Sequence, residues 1–237
     1  MSAVVIGETV RRHVTNVFYV ALLLLLVMIG FGVASFNTPG AVWPSLVGML
    51  AVVAGAGVIG PEFSSGTLQL IVSRPLRRWS YLLSRVAGVV AVVGIAAALA
   101  FVAESVTRLL RGTDLVPWPI LLNVLAVALS SCALLVFFAS VTRAYFNIAI
   151  YFMLQIGFSA TEGILALVRG RGGATGEFLR VHPEIETGVA AVSQTLFPEV
   201  IPHFDGGWIV KTLVVSAIAL ALACVFFSRR EVPYGAD

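Results

Sequence analysis

Residues 14–61 contain no Asp, Glu, Lys or Arg. At roughly 20 apolar residues per helical crossing, that stretch holds two crossings, and Asn37-Thr38-Pro39-Gly40 supplies a turn between them. The same alternation of long apolar runs and short polar joints continues to the C-terminus. It predicts membrane-spanning helices over 16–35, 42–60, 79–103, 117–142, 144–168 and 208–228. The joints are a polar loop over 61–78, a charged connector over 104–114, a short turn at Arg143, and a polar, Gly-rich segment over 169–207. Arg229-Arg230 stops the last run. The predicted fold is therefore all-α: one polytopic transmembrane domain of six helices.

One shorter segment carries helical periodicity of a different kind. Within 169–207, Ile185, Val189, Val192 and Leu196 recur at three- and four-residue spacing, which predicts an amphipathic helix at the outer interface.

Composition agrees with this pattern. Of 237 residues, 59% are hydrophobic and 11% charged, where a soluble domain carries about a quarter charged; mean hydropathy is +1.00. Spans and short loops use nearly the whole chain, so no soluble catalytic domain fits, and no G-x-x-x-x-G-K-[ST] phosphate loop occurs. Arg11 and Arg12 precede an apolar run too long for a cleavable leader, so the first span is expected to stay.

An even number of spans puts both termini on one side. With them lie Arg11, Arg12, Arg74, Arg77, Arg78, Arg85, Arg143, Arg229 and Arg230. Opposite lie Arg108, Arg111, Arg169, Arg171, Arg180 and Lys211, offset by eight acidic residues. Basic residues in short loops stay inside, so the termini and the 61–78 loop are expected in the cytoplasm of a plasma (inner) membrane protein. The net charge of +3 is thus topology rather than nucleic-acid binding. Cys132 and Cys224 fall inside apolar runs, where no disulfide is expected.

The loop after the second span is the most informative stretch. Gly60-Pro61 breaks the span, and Pro suits the first turn of a new helix. Glu62 then stands where a helix N-terminus favours negative charge. Gly66 permits close backbone approach, Thr67, Leu68, Leu70 and Ile71 give a mixed face, and Ser73-Arg74-Pro75 ends the element. Taken alone, this reads first as an interfacial helix whose arginines, Arg77, Arg78 and a snorkelling Arg85 included, hold topology, and second as a docking element.

The order Glu62, Gly66-Thr67-Leu68, Arg74-Pro75, Arg78, Arg85 resembles the first cytoplasmic loop of type-2 ABC exporter permeases, which have the ABCG-like membrane fold. The resemblance extends to Glu8, Arg11 and Arg12, which stand where the family has an amphipathic N-terminal helix and so imply one over 1–15, to Leu196-Phe197-Pro198 with Phe204-Asp205 in the outer loop, and to the final Phe227-Ser228-Arg229-Arg230-Glu231. It implies that 61–78 forms a coupling helix seated on a separate ABC-type ATPase, with ATP and Mg bound by that partner and no cofactor on this chain. It further implies a second permease copy, the same chain or a close homologue, beside it in the lipid. Glu62, Gly66, Thr67, Leu68, Leu70, Arg74, Pro75 and Arg78 are then the coupling residues.

Other candidate chemistry is sparse. Asn123, Asn147 and Gln155 lie within spans and suit either a substrate path or hydrogen bonds between helices. Glu104 and Glu162 sit near the outer ends of their spans, where reaching water is the expectation. Tyr19, Tyr145, Tyr151, Trp43, Trp79, Trp118 and Trp208 lie near span ends, as an aromatic belt does. His182 and His203 lack metal-ligand spacing, and no catalytic triad or paired membrane carboxylate appears. The expected function is the permease subunit of an ATP-driven exporter, not itself an enzyme. An ATP-independent carrier or channel, or a membrane scaffold for an assembly complex, is the alternative.

Overall fold

A chain inside hydrocarbon has no water to satisfy its backbone, and helices close every hydrogen bond internally. The computed structural model describes residues 2–35, 43–56, 58, 78–142, 146–171, 174–201 and 203–229, and no strand occurs among them. The helices in chain order are α1 (Ala3–Val14), α2 (Val17–Ser35), α3 (Trp43–Ala56), α4 (Arg78–Leu110), α5 (Pro119–Val141), α6 (Phe146–Arg171), α7 (Ala174–Val181), α8 (Pro183–Leu196) and α9 (Gly206–Arg229).

Four of them, α4, α5, α6 and α9, are long and apolar enough to cross a membrane, and α1 with α2, bent by 73° between them, makes a fifth candidate. The predicted span 42–60 is described as a helix over 14 residues. At 1.5 Å per residue that is about 21 Å, short of a hydrocarbon core of roughly 30 Å.

The charged connector expected over 104–114 is helical as far as Leu110. It stays helical because Glu104 pairs with Arg108 one turn on (2.8 Å) instead of leaving the helix for water. The helix stops at Gly112, whose φ of 67° suits a residue without Cβ. There the amide of Gly112 donates to the Leu109 carbonyl (3.1 Å) and that of Thr113 to the Arg108 carbonyl (3.0 Å), which also takes the Arg111 amide (3.2 Å). Within 169–207, α8 begins at Pro183 in its first turn and buries none of its residues. Helix α7 has no counterpart among the elements that the Gly-rich sequence around it predicts.

Helices α4 and α5 form the centre: α1, α2 and α3 pack on α4, and α3 and α9 on α5. Small residues allow this. A Cβ added at Gly30 of α2 would lie 3.0 Å from the Ala100 carbonyl oxygen of α4, and Ala96, Ala97 and Ala100 are fully buried along the same face. Helix α6 stands at the edge, against α5 and α8.

Candidate functional site

Two regions hold the polar groups that an apolar fold must account for, one at each end of α4. At the first, α1 lies on α4 through Thr9. A Cβ on Gly88 would come within 2.7 Å of the Thr9 Cβ, so this glycine sets the approach of the two helices. Ser84 reinforces the contact by accepting the Ser2 amide on its Oγ at 2.8 Å. The opposite face of α1 is solvated: Arg11 pairs with Glu8 at 3.1 Å, with both side chains more than half exposed, and Arg12 is exposed.

Arg85 departs from its expected snorkelling position. It is buried, donating through its guanidinium to Thr9 Oγ1 (3.1 Å) and through Nε to the Val58 carbonyl (3.3 Å). The sequence around Arg85 shows no acceptors, because α1 and the chain after α3 bring them. One cation thus ties α1, α4 and the segment leading into 61–78. Arg78 donates to the Ser228 carbonyl at 3.4 Å, joining the start of α4 to the end of α9. The other candidate coupling residues, Glu62, Gly66, Thr67, Leu68, Leu70, Arg74 and Pro75, lie outside the described residues.

At the far end of α4 the carboxylate of Glu104 is fully buried, against the expectation that it reaches water. It accepts Trp43 Nε1–H at 2.6 Å and Arg108 Nε–H at 2.9 Å. Trp43 itself is fully buried rather than part of an aromatic belt. Burying a carboxylate requires a partner charge and hydrogen bonds, and both are present. The i,i+4 spacing of Glu104 and Arg108 is the signal available in sequence; Trp43, 61 positions earlier in the chain, has none. Tyr19 and Tyr151 are likewise buried. Tyr19 donates to the Val92 carbonyl at 2.7 Å, and Tyr151 shares a hydrogen bond with Ser131 Oγ at 3.1 Å.

The three polar span residues differ from one another. Asn123 Nδ2 donates to the carbonyls of Ile201 (2.6 Å) and His203 (2.9 Å), fastening the chain between α8 and α9 onto α5. Asn147 Nδ2 reaches the Ala56 carbonyl at 3.4 Å and links α6 to the end of α3. Gln155 is exposed and lines a cleft of about 660 Å³ between α3, α5, α6, α8 and the chain after α8.

Phe197 forms part of the cleft wall, buried edge-on against Tyr151 at 5.1 Å between ring centres. The aromatic and Pro positions of Leu196-Phe197-Pro198 therefore have a packing role. Asp205 caps α9, its Oδ1 accepting the amides of Gly207 (2.9 Å) and Trp208 (3.2 Å). Glu162 also lines the cleft, and its Oε1 is buried without a hydrogen-bond partner.

The histidines are solvent-side groups. His182 Nδ1 meets Glu184 at 2.7 Å in an exposed pair. The Glu184 carboxyl is held below its usual value first by its own backbone amide and then by His182. No group of three His, Cys, Asp or Glu side chains suited to a metal occurs among the described residues.

An all-helical chain with several apolar helices of spanning length, packed through small residues and closed polar pairs, is a multi-pass membrane protein. The family profile described as "ABC-2 family transporter protein" matches residues 44–232, and the chain belongs to that family of type-2 ABC transporter permeases. It is also similar to a Bacillus subtilis (strain 168) protein, "Uncharacterized protein YhcI", with 36% identity over 56 residues, or 24% of this chain. The matched stretch spans 18% of that relative's length.

Proposed function

We propose that this chain is the membrane subunit of an ATP-driven exporter and couples hydrolysis by a separate ABC-type ATPase to substrate movement. ATP and Mg belong to that partner and supply the energy. This chain supplies the mechanical linkage and the path. In this reading the chain crosses the plasma membrane six times. Both termini and the 61–78 coupling segment lie in the cytoplasm, and a second permease copy completes the path.

The observation that carries the reading is the Arg85 junction. Its bonds to Thr9 and to the Val58 carbonyl connect the entry of the 61–78 segment to α1 and α4. A push on that segment is then delivered to two packed helices rather than absorbed by a loose joint. Glu62 is the proposed contact with the ATPase, and Gly66 and Thr67 shape its seat.

The test is co-expression with a candidate ATPase. The purified permease alone should hydrolyse no ATP, and together the two should co-purify at two copies each. Glu62→Gln should keep membrane insertion and weaken ATPase association or uncouple export roughly ten- to hundredfold, the scale of a hydrogen bond to a charged group. External thiol labelling at Thr113→Cys and none at Ser65→Cys would support the orientation. Unaided transport in proteoliposomes would overturn the coupling reading in favour of an ATP-independent carrier.

A further inference from the structure

The cleft beside α6 has a chemical character of its own. Among the described residues lining it there are two carboxylates, Glu162 and Glu199, and no Lys, Arg or His. The Oε1 of Glu162 is out of solvent and has no partner. A carboxylate oxygen so placed keeps neither hydration nor a compensating bond, which is costly unless a ligand provides one. Glu104 shows how this same protein treats a carboxylate kept for structure alone: both of its oxygens are bonded. Glu162, 16 residues into α6 from Phe146, has one oxygen unbonded and belongs to the wall of a space of about 660 Å³.

The rest of the wall narrows the class of occupant. That volume lies within the range of small-molecule sites, roughly 300–1,000 Å³, and is far larger than a bare ion requires. Tyr151, Phe152 and Phe197 present aromatic rings, which favour cations on their faces and apolar groups generally. Gln155 and Ser159 add neutral hydrogen-bonding groups two turns and one turn before Glu162 on the same helix. An anion would meet two like charges with no counter-charge in the described lining. A metal ion would find too few converging ligands, consistent with the absence of such a cluster among the described residues.

We infer that this cleft binds an amphipathic organic cation, with the positive group against Glu162 and the apolar body against the aromatic wall. The inference rests on reading the chain as a transporter and names the class of molecule it takes.

The test measures binding by the purified full-length chain without ATP or ATPase, using radiolabelled tetraphenylphosphonium in equilibrium dialysis. Tetraphenylborate, an anion of nearly the same shape, is the control. Tetraphenylphosphonium should bind saturably and tetraphenylborate should not. Glu162→Gln should weaken tetraphenylphosphonium binding by about tenfold or more, the loss expected for a desolvated charge-assisted contact. Glu162→Asp, which keeps the charge, should retain part of the affinity, and Glu199→Gln should have a smaller effect. Thermal unfolding of each variant at the wild-type temperature would exclude misfolding.

Equal binding of the two probes, or wild-type affinity in Glu162→Gln, would overturn the inference. Because no nucleotide or partner is present, such a failure leaves the ATPase-coupling reading standing. Conversely, loss of ATPase association leaves this binding result intact.

Discussion

Helices α5 and α6 are consecutive, similar in length and each apolar enough to span, yet they live in different surroundings. In α5, 72% of the apolar window lies inside the protein; in α6, 6% does. Helix α5 buries Asn123, Ser130, Ser131 and Cys132 together with its apolar residues, while α6 exposes Met153, Ile156, Ile164 and Leu167. In water such exposure would mark an error or an interface, but in lipid an outward Leu costs nothing, since hydrocarbon tails are as apolar as the side chain. What separates the two helices is the treatment of polar groups. The buried carboxylate of α4, Glu104, is closed into a pair, whereas Glu162 of α6 lines a cleft with one oxygen unbonded.

The two glutamates sharpen the contrast, and the largest expected effect belongs to Glu104. Glu104→Ala strips Arg108 and Trp43 of their acceptor and leaves a largely buried cation unpaired, a loss of about 3–5 kcal/mol for breaking a buried pair. Thermal unfolding in detergent should fall sharply or the protein should fail to accumulate. Glu162→Gln, in the same assay, should unfold at or slightly above the wild-type temperature because no bond is lost. Equal losses in the two variants would remove the distinction.

Next in size is the contact of α1 with α4. Gly88→Val forces a methyl-bearing carbon into Thr9, and overpacking of this kind costs about 1–3 kcal/mol. The readout is thiol accessibility at Thr9→Cys, protected in an otherwise wild-type protein and reactive once the added valine side chain pushes α1 away. Continued protection would mean that α1 follows α4 without strain.

A smaller effect is expected at Asn123. Replacing it with Ala removes two bonds to the chain between α8 and α9, each about 0.6 kcal/mol and up to roughly 1.7 by analogy with measured interhelical pairs. Limited proteolysis around 198–204 should quicken while overall unfolding shifts little. The smallest effect is expected on the solvated face of α1. Arg11→Ala disturbs an exposed pair, which contributes little in water, so the unfolding temperature should not move measurably.

The helices are legible in sequence because hydrophobic runs of spanning length admit few alternatives. The starts of α4, α5 and α9 fall within two residues of the expected span boundaries. Charge misleads where its partner is remote. Glu104 and Arg108 look like the exit from the membrane, since nothing in 104–114 reveals that Trp43 arrives from α3. Arg85 looks free to snorkel because Thr9 and Val58 are brought to it by tertiary packing alone. Helix α7 is hidden by the glycines before it at 170, 172 and 173 and within it at 176, which weaken helical propensity without forbidding a helix. The cleft is invisible for a related reason: Gln155 and Glu162 share a helix face at a spacing of seven, but the walls facing them come from α3, α5 and α8. The coupling residues of 61–77 lie outside the described structure, so their roles rest on the proposal.

Asn123 has a further consequence, a limit on reach. By holding the carbonyls of Ile201 and His203, it anchors the chain between α8 and α9 to α5 just before Asp205 caps α9. Any displacement of α8 relative to α5 must then be drawn from the five residue steps between Leu196 and Ile201. Fully extended, these span at most about 18 Å. Phe197, seated against Tyr151, shortens the usable length further while it stays in place. This segment is therefore a tether of fixed stroke: α8 can swing off the cleft, but α5 and α9 set how far.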